Sequence, residues 1–163
     1  MTTRYKIHQK MLSIGDDYWI ENSEGQRVFK VDGKVLRIRK TLVLEDIHGK
    51  PLCQIKERLL TIKDTMVIED PNGKDIAVMK KALISPLRDR WDVKVNVGDD
   101  LVVQGNFIDH EYTIKRKGKK VAEVSKKWFR ITDTYGVDVD EGQNDVLIIA
   151  VAVVIDTMAH EKE

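Results

Sequence analysis

Through most of the chain apolar and polar residues alternate with period two, and the alternating runs are broken at short intervals by glycine. One phrase recurs: an alternating run, an acidic or polar pair, a glycine beside a cationic or polar residue, and a second alternating run. It occurs from residues 18–21 through Gly25 to 28–29, from 42–46 through Gly49 to 55, from 66–70 through Gly73 to 79, and from 112–116 through Gly118 to 124. Gly25, Gly49 and Gly73 are equally spaced. Glycine supplies the positive φ of a tight turn, Asn or Asp before it tolerates the same region, and the flanking β-branched residues alternate between two faces. Each phrase therefore predicts a β-hairpin. A fifth, less regular copy joins 91–97 to 101–103 through Gly98-Asp99-Asp100, and segments 34–40 and 121–132 predict further strands. About a dozen strands at short spacing, with no stretch long enough for helical crossovers, imply an antiparallel barrel or sandwich.

The pattern breaks at residues 146–155, Val-Leu-Ile-Ile-Ala-Val-Ala-Val-Val-Ile, bracketed by Asp145 and Asp156. With no polar side chain the segment has no face for water and must be enclosed on every side. It is about half the roughly 20 residues needed to cross a bilayer, so no transmembrane segment is expected. Its β-branched content favours a strand. Its length, and a capping signal at Asn144-Asp145, favour a helix over about 145–158. Residue chemistry alone leaves the choice open. Such a helix is about 21 Å long, a length that threads a small barrel.

Composition narrows the functional classes. The 163 residues fit one domain with a substantial core. Lys plus Arg number 28 against 27 for Asp plus Glu, a net charge of +1, so bulk charge cannot attract nucleic acid or an anionic membrane. Nucleic acid is not an expected partner, and any polyanion must meet a local patch. Cys53 has no cysteine partner and reads as a small strand residue. The opening stretch mixes Arg4, Lys6, His8 and Lys10 with Tyr5 and Ile7 and lacks the apolar block of a secretory signal, so a cytoplasmic setting is expected.

The string at 120–140, KVAEVSKKWFRITDTYGVDVD, followed by the apolar run and Ile155-Asp156-Thr157-Met158, resembles the LURP-one-related proteins, which share a superfamily with the tubby C-terminal domain and the phospholipid scramblases. The resemblance extends to residues 5–15, to the three equally spaced hairpins and to Leu87-Arg88-Asp89-Arg90-Trp91. It implies a mainly β fold over 1–163: a closed antiparallel barrel of about twelve strands around a central hydrophobic C-terminal helix. It is a weaker guide to activity, because fold does not fix function. Tubby domains bind phosphoinositides, scramblases are tied to lipid movement and calcium, and none of these groups is an established conventional enzyme.

The leading candidate site is a cationic cluster, Lys115, Arg116, Lys117, Lys119 and Lys120, with Lys126 and Lys127 on the returning strand. A tight hairpin is expected to gather these charges into a patch able to hold the phosphate of a lipid headgroup. A solvated tip that blunts an edge strand explains the same lysines more simply. Lys34, Arg37, Arg39 and Lys40 form a second patch of the same ambiguity, as do Lys80, Lys81, Arg88 and Arg90. Asp133, Asp138, Asp140, Glu141 and Asp145 lie where scramblases carry a proposed calcium segment. No register places oxygen ligands at the positions of a calcium-binding loop, and helix capping accounts for the acids, so no metal or other cofactor is expected. His8, His48, His110 and His160 are scattered, no catalytic motif occurs, and Asp109-His110-Glu111 reads as a polar loop. The expected function is a non-catalytic binding module for anionic phospholipid or phosphoinositide headgroups. The alternative is a protein-interaction or structural barrel with no small ligand. Val151→Asp, which places an unpaired carboxylate in the most enclosed segment, is expected to yield unfolded or insoluble protein in expression and circular dichroism measurements.

Overall fold

The computed structural model describes residues 2–8, 18–35, 40–57, 65–81, 89–129 and 134–160. Twelve antiparallel strands precede one helix: β1 (Thr2–His8), β2 (Tyr18–Glu21), β3 (Arg27–Val35), β4 (Lys40–Asp46), β5 (Pro51–Glu57), β6 (Thr65–Glu69), β7 (Asp75–Lys81), β8 (Asp89–Val95), β9 (Leu101–Asn106), β10 (Glu111–Arg116), β11 (Lys119–Ser125), β12 (Thr134–Asp140) and α1 (Asp145–His160). Each strand pairs with its neighbours in sequence, and β1 closes against β12 from Thr2↔Asp140 to His8↔Thr134, so the sheet is a closed barrel. The expected barrel and central helix are both present. The expected strand over 121–132 is shorter: it ends at Ser125 and turns through 126–129, while 130–132 and part of the 34–40 segment lie outside the described residues.

A closed sheet of about eight strands is just filled by its own side chains, and diameter grows with strand number. Twelve strands leave an axial space, and α1 occupies it. Ile149, Ala150, Val151, Ala152, Val153 and Val154 are wholly buried, and burial continues through Thr157. The inward residues of alternating strands meet the helix, among them Ile7, Ile20, Ile55, Ile68, Met79, Leu101 and Ile114. Over its 16 residues the helix spans about 24 Å. A seven-residue strand spans about 23 Å, so filler and wall match in length.

The helix N-terminus is capped and tied to the wall. Asn144 caps the N-terminus: its Oδ1 accepts the Leu147 amide at 3.1 Å and its carbonyl accepts the Ile148 amide. Tyr5 on β1 donates its hydroxyl to Asp145, and burial together with that carboxylate pushes the Tyr5 pKa well up. Helical geometry wins over β propensity here because a strand in this position could not pair its backbone groups away from water.

The repeated hairpins share one turn. Asn22, Asp46 and Asp70 each use Oδ1 to accept two backbone amides, from the residues two and four positions on, at 2.8 to 3.0 Å. Gly25, Gly49 and Gly73 follow at φ of +79°, +80° and +84° and close each turn on the carbonyl of the same Asn or Asp. Because strand direction alternates, all five glycine-containing hairpins open at one end of the barrel, which is also the end where α1 enters. Gly49→Ala keeps the space but forces a side chain into the left-handed region, and is expected to lower stability by about 1–2 kcal/mol in urea unfolding.

Candidate functional site

The glycine-hairpin rim carries the cationic cluster foreseen in the sequence. Lys117 and Gly118, at φ of +51° and +76°, form a two-residue loop between β10 and β11, and Arg116 pairs with Lys119 across it. Five cations thus stand on one tip, with Lys117, Lys119 and Lys120 exposed and Lys115 and Arg116 half-buried. Lys117 Nζ lies 3.4 Å from Asp99 Oδ2 on the neighbouring β8–β9 loop, and Lys120 Nζ lies 3.2 Å from Glu123. The Arg116 guanidinium turns toward the barrel mouth and donates to Gln143 in the loop that leads into α1. Among the described residues Lys115 and Lys119 make no ion pair.

Lys126 and Lys127 are not part of this tip. They follow the far end of β11, about 20 Å away along the strand, on the opposite rim. Sequence proximity suggested a single patch, but a seven-residue strand separates its two halves. The other patches are described in part: strand register sets Lys40 opposite Val35, next to Lys34, and Lys81 opposite Trp91, next to Arg90. Arg90 bonds Asp92, Asp138 pairs with Arg4, and Asp145 takes the Tyr5 hydroxyl. Arg37, Arg39, Arg88 and Asp133 lie outside the described residues. Among the described residues no group of three His, Cys, Asp or Glu is placed to hold a metal ion, and no helix is long and apolar enough to cross a membrane.

A second arrangement lies on the outer wall where the barrel closes. The rings of Trp128 and Phe129 rest on β12 at Gly136, where an added Cβ would stand 2.6 and 2.8 Å from them. The Arg4 guanidinium lies 4.2 Å over the Trp128 ring and bonds Asp138 through Nε at 2.6 Å and Nη2 at 2.9 Å. That hydrogen bond holds the Arg4 pKa above its ordinary value. Lys6 lies 5.7 Å from the Phe129 ring and 3.2 Å from Glu21, which also meets His8 at 3.4 Å. Trp19 on β2 faces Arg27 at 4.9 Å and Lys30 at 5.9 Å.

The family model for LURP-one-related proteins matches residues 3–156, nearly the whole chain. The chain belongs to the LURP-one-related family. A solved structure of a protein from Arabidopsis thaliana superposes with a TM-score of 0.70 at 17% identity, covering 96% of this chain and 91% of that one. At that identity the likeness concerns the fold. A comparison with curated proteins finds no match. Family and fold together support a binding module at the coarse level.

This LURP-one-related barrel also encloses a polar group from what the sequence reads as a polar loop. His110, at φ of +51° in the β9–β10 turn, is fully buried. Its ring stacks on Tyr135 with centroids 4.3 Å apart, and its Nε2 lies 3.4 Å from Asp156 Oδ1. Tyr135 donates its hydroxyl to Asp156 Oδ2 at 3.3 Å. The set ties the helix C-terminal half to the β9–β10 turn and to β12, and no local sequence signal brings residues 110, 135 and 156 together.

At the closing seam, burial raises the pKa of Glu21, but its hydrogen bonds to Lys6 and His8 outweigh that effect and hold it below the ordinary carboxylate value of 4.5. A depressed folded-state pKa contributes stability above the unfolded value that is lost as pH falls through the folded one. The melting-temperature difference between wild type and Glu21→Gln is therefore expected to shrink as pH is lowered below about 4.5.

Proposed function

We propose that this chain is a non-catalytic module that binds anionic phospholipid or phosphoinositide headgroups, with Lys115, Lys117, Lys119 and Lys120 meeting the phosphates. The observation that carries the reading is the concentration of five cations on one two-residue hairpin tip, in a molecule of near-zero net charge. A phosphate group binds such a fork by charge-assisted hydrogen bonds, and the rigid barrel behind it holds the tip in place without induced folding. The coarse match of family and fold to a binding module adds support, as does the lipid chemistry of the related tubby and scramblase groups.

A protein partner is the second reading, favoured by the outer-wall set of Trp19, Trp128, Arg4 and Arg27, since Trp and Arg are enriched in protein interfaces. The two readings use different faces. The first is tested by co-sedimentation with vesicles of phosphatidylcholine containing one quarter phosphatidylserine, against pure phosphatidylcholine. Lysines near an anionic surface contribute about 1 kcal/mol each, so the double variant Lys115→Ala, Lys119→Ala is expected to bind about thirtyfold more weakly. Pelleting should also fall as salt rises. Binding left unchanged by the double variant removes the site, and equal pelleting with neutral vesicles removes the reading.

A further inference from the structure

The glycine-hairpin rim carries exposed apolar residues as well as cations. Of three large apolar side chains that stand well exposed among the described residues, Ile47 and Val97 lie at this end of the barrel, and Ile108 lies at the other. Ile47 is 52% exposed in the β4–β5 turn and Val97 is 86% exposed in the β8–β9 loop. Between them the β6–β7 turn presents Pro71, also exposed. Three consecutive tips, about 10 Å apart at two strand spacings each, thus present an apolar residue to water, and the next tip is the cationic Lys117–Gly118 loop.

The Val97 loop is firmly held. The Asn96 amide donates to the Ile76 carbonyl at 2.9 Å and its side chain to the Asp75 carbonyl at 3.2 Å. The Val95 amide donates to Asp100 at 3.0 Å, and Asp99 meets Lys117 on the cationic tip. An apolar side chain is therefore fixed outward beside the cations, not left on a loop that could fold back over the sheet.

Charge on this rim is uneven: Glu24, Asp99, Asp100 and Glu141 are exposed there, and the cations are concentrated at the β10–β11 tip. Asp46 and Asp70 lie at the bases of their turns, are engaged by backbone amides, and are each followed four positions on by a lysine, Lys50 and Lys74. At that tip Lys117 meets Asp99 and Lys120 meets Glu123, while Lys115 and Lys119 make no ion pair among the described residues.

From this juxtaposition we infer that the barrel docks end-on to an anionic bilayer, with the glycine-hairpin rim down, Val97 and Ile47 entering the interfacial region and the β10–β11 lysines lying at headgroup depth. This rests on the headgroup reading and adds to it an orientation and an apolar contact. Apolar insertion and electrostatic attraction reinforce one another in interfacial binding, because the first acts at contact and the second brings the surfaces together.

The test uses single cysteines carrying an environment-sensitive fluorophore at Val97→Cys, Ile47→Cys and, on the opposite rim, Ile108→Cys. Cys53 does not interfere: it is fully buried, and burial pushes its thiol pKa up to about 12. With vesicles of phosphatidylcholine and one quarter phosphatidylserine, labels at 97 and 47 are expected to blue-shift and brighten, while the label at 108 does not change. Val97→Asp in the unlabelled protein is expected to weaken vesicle binding about tenfold. If the protein pellets with these vesicles but only the label at 108 responds, or none does, end-on docking is overturned while the headgroup reading stands. If no vesicle binding occurs with wild type, the headgroup reading itself fails and this inference with it.

Discussion

The structure depends on a reciprocal constraint between wall and filler. A closed sheet of twelve strands is too wide for its own side chains to fill, and a helix apolar on every face cannot meet water. Each is unstable alone and each completes the other. Ala150 and Ala152 keep the axis slim, and the wall is lined by large buried residues such as Ile68, Met79 and Leu101. Position along the axis is then set at the two ends: by Asn144 and the Tyr5–Asp145 contact where the helix enters, and by the His110–Asp156–Tyr135 set farther along. Apolar packing alone could slide, whereas directional polar contacts cannot.

The elements legible in the sequence were those specified by neighbouring residues. The Asn or Asp four positions before a lysine or glutamine, with glycine between, encodes a turn that closes on itself, and three such turns were readable at Gly25, Gly49 and Gly73. Enclosure of residues 146–155 was readable because no arrangement could solvate any face of them. Helix against strand was not readable locally, since Val and Ile favour strands. It is decided by backbone satisfaction in a space with no partner strand. His110 escaped notice because its partners lie 25 and 46 positions along the chain, and a charged triplet between strands has the composition of an ordinary loop. Trp128 and Phe129 look like strand residues until Gly136 is seen as the gap they fill.

The cationic site was half legible for a related reason. Closeness in sequence is closeness in space across a two-residue loop, which unites Lys115 through Lys120. Along a strand it is not, so Lys126 and Lys127 fall on the far rim. A barrel sorts its connections strictly by end, and here the short, self-closing turns share one end. With the core committed to holding the helix, chemical variation is left to those tips and to the outer wall.

The closing pair of strands has a consequence for the order of folding. Eleven of the twelve ladders join strands consecutive in the chain, whereas the Arg4–Asp138 pair at the seam is separated by 134 residues. Hairpins form quickly because little chain must be ordered, while long-range pairings are slow. The ladder is therefore expected to grow as a curved sheet with two open edges, its seam closing once the helix has found the concave side. During that interval the most apolar segment of the chain and two unpaired strand edges face solvent together, the combination that drives chains to associate. The vulnerability of this barrel thus lies in its last act of assembly more than in the finished molecule, in which no edge remains open.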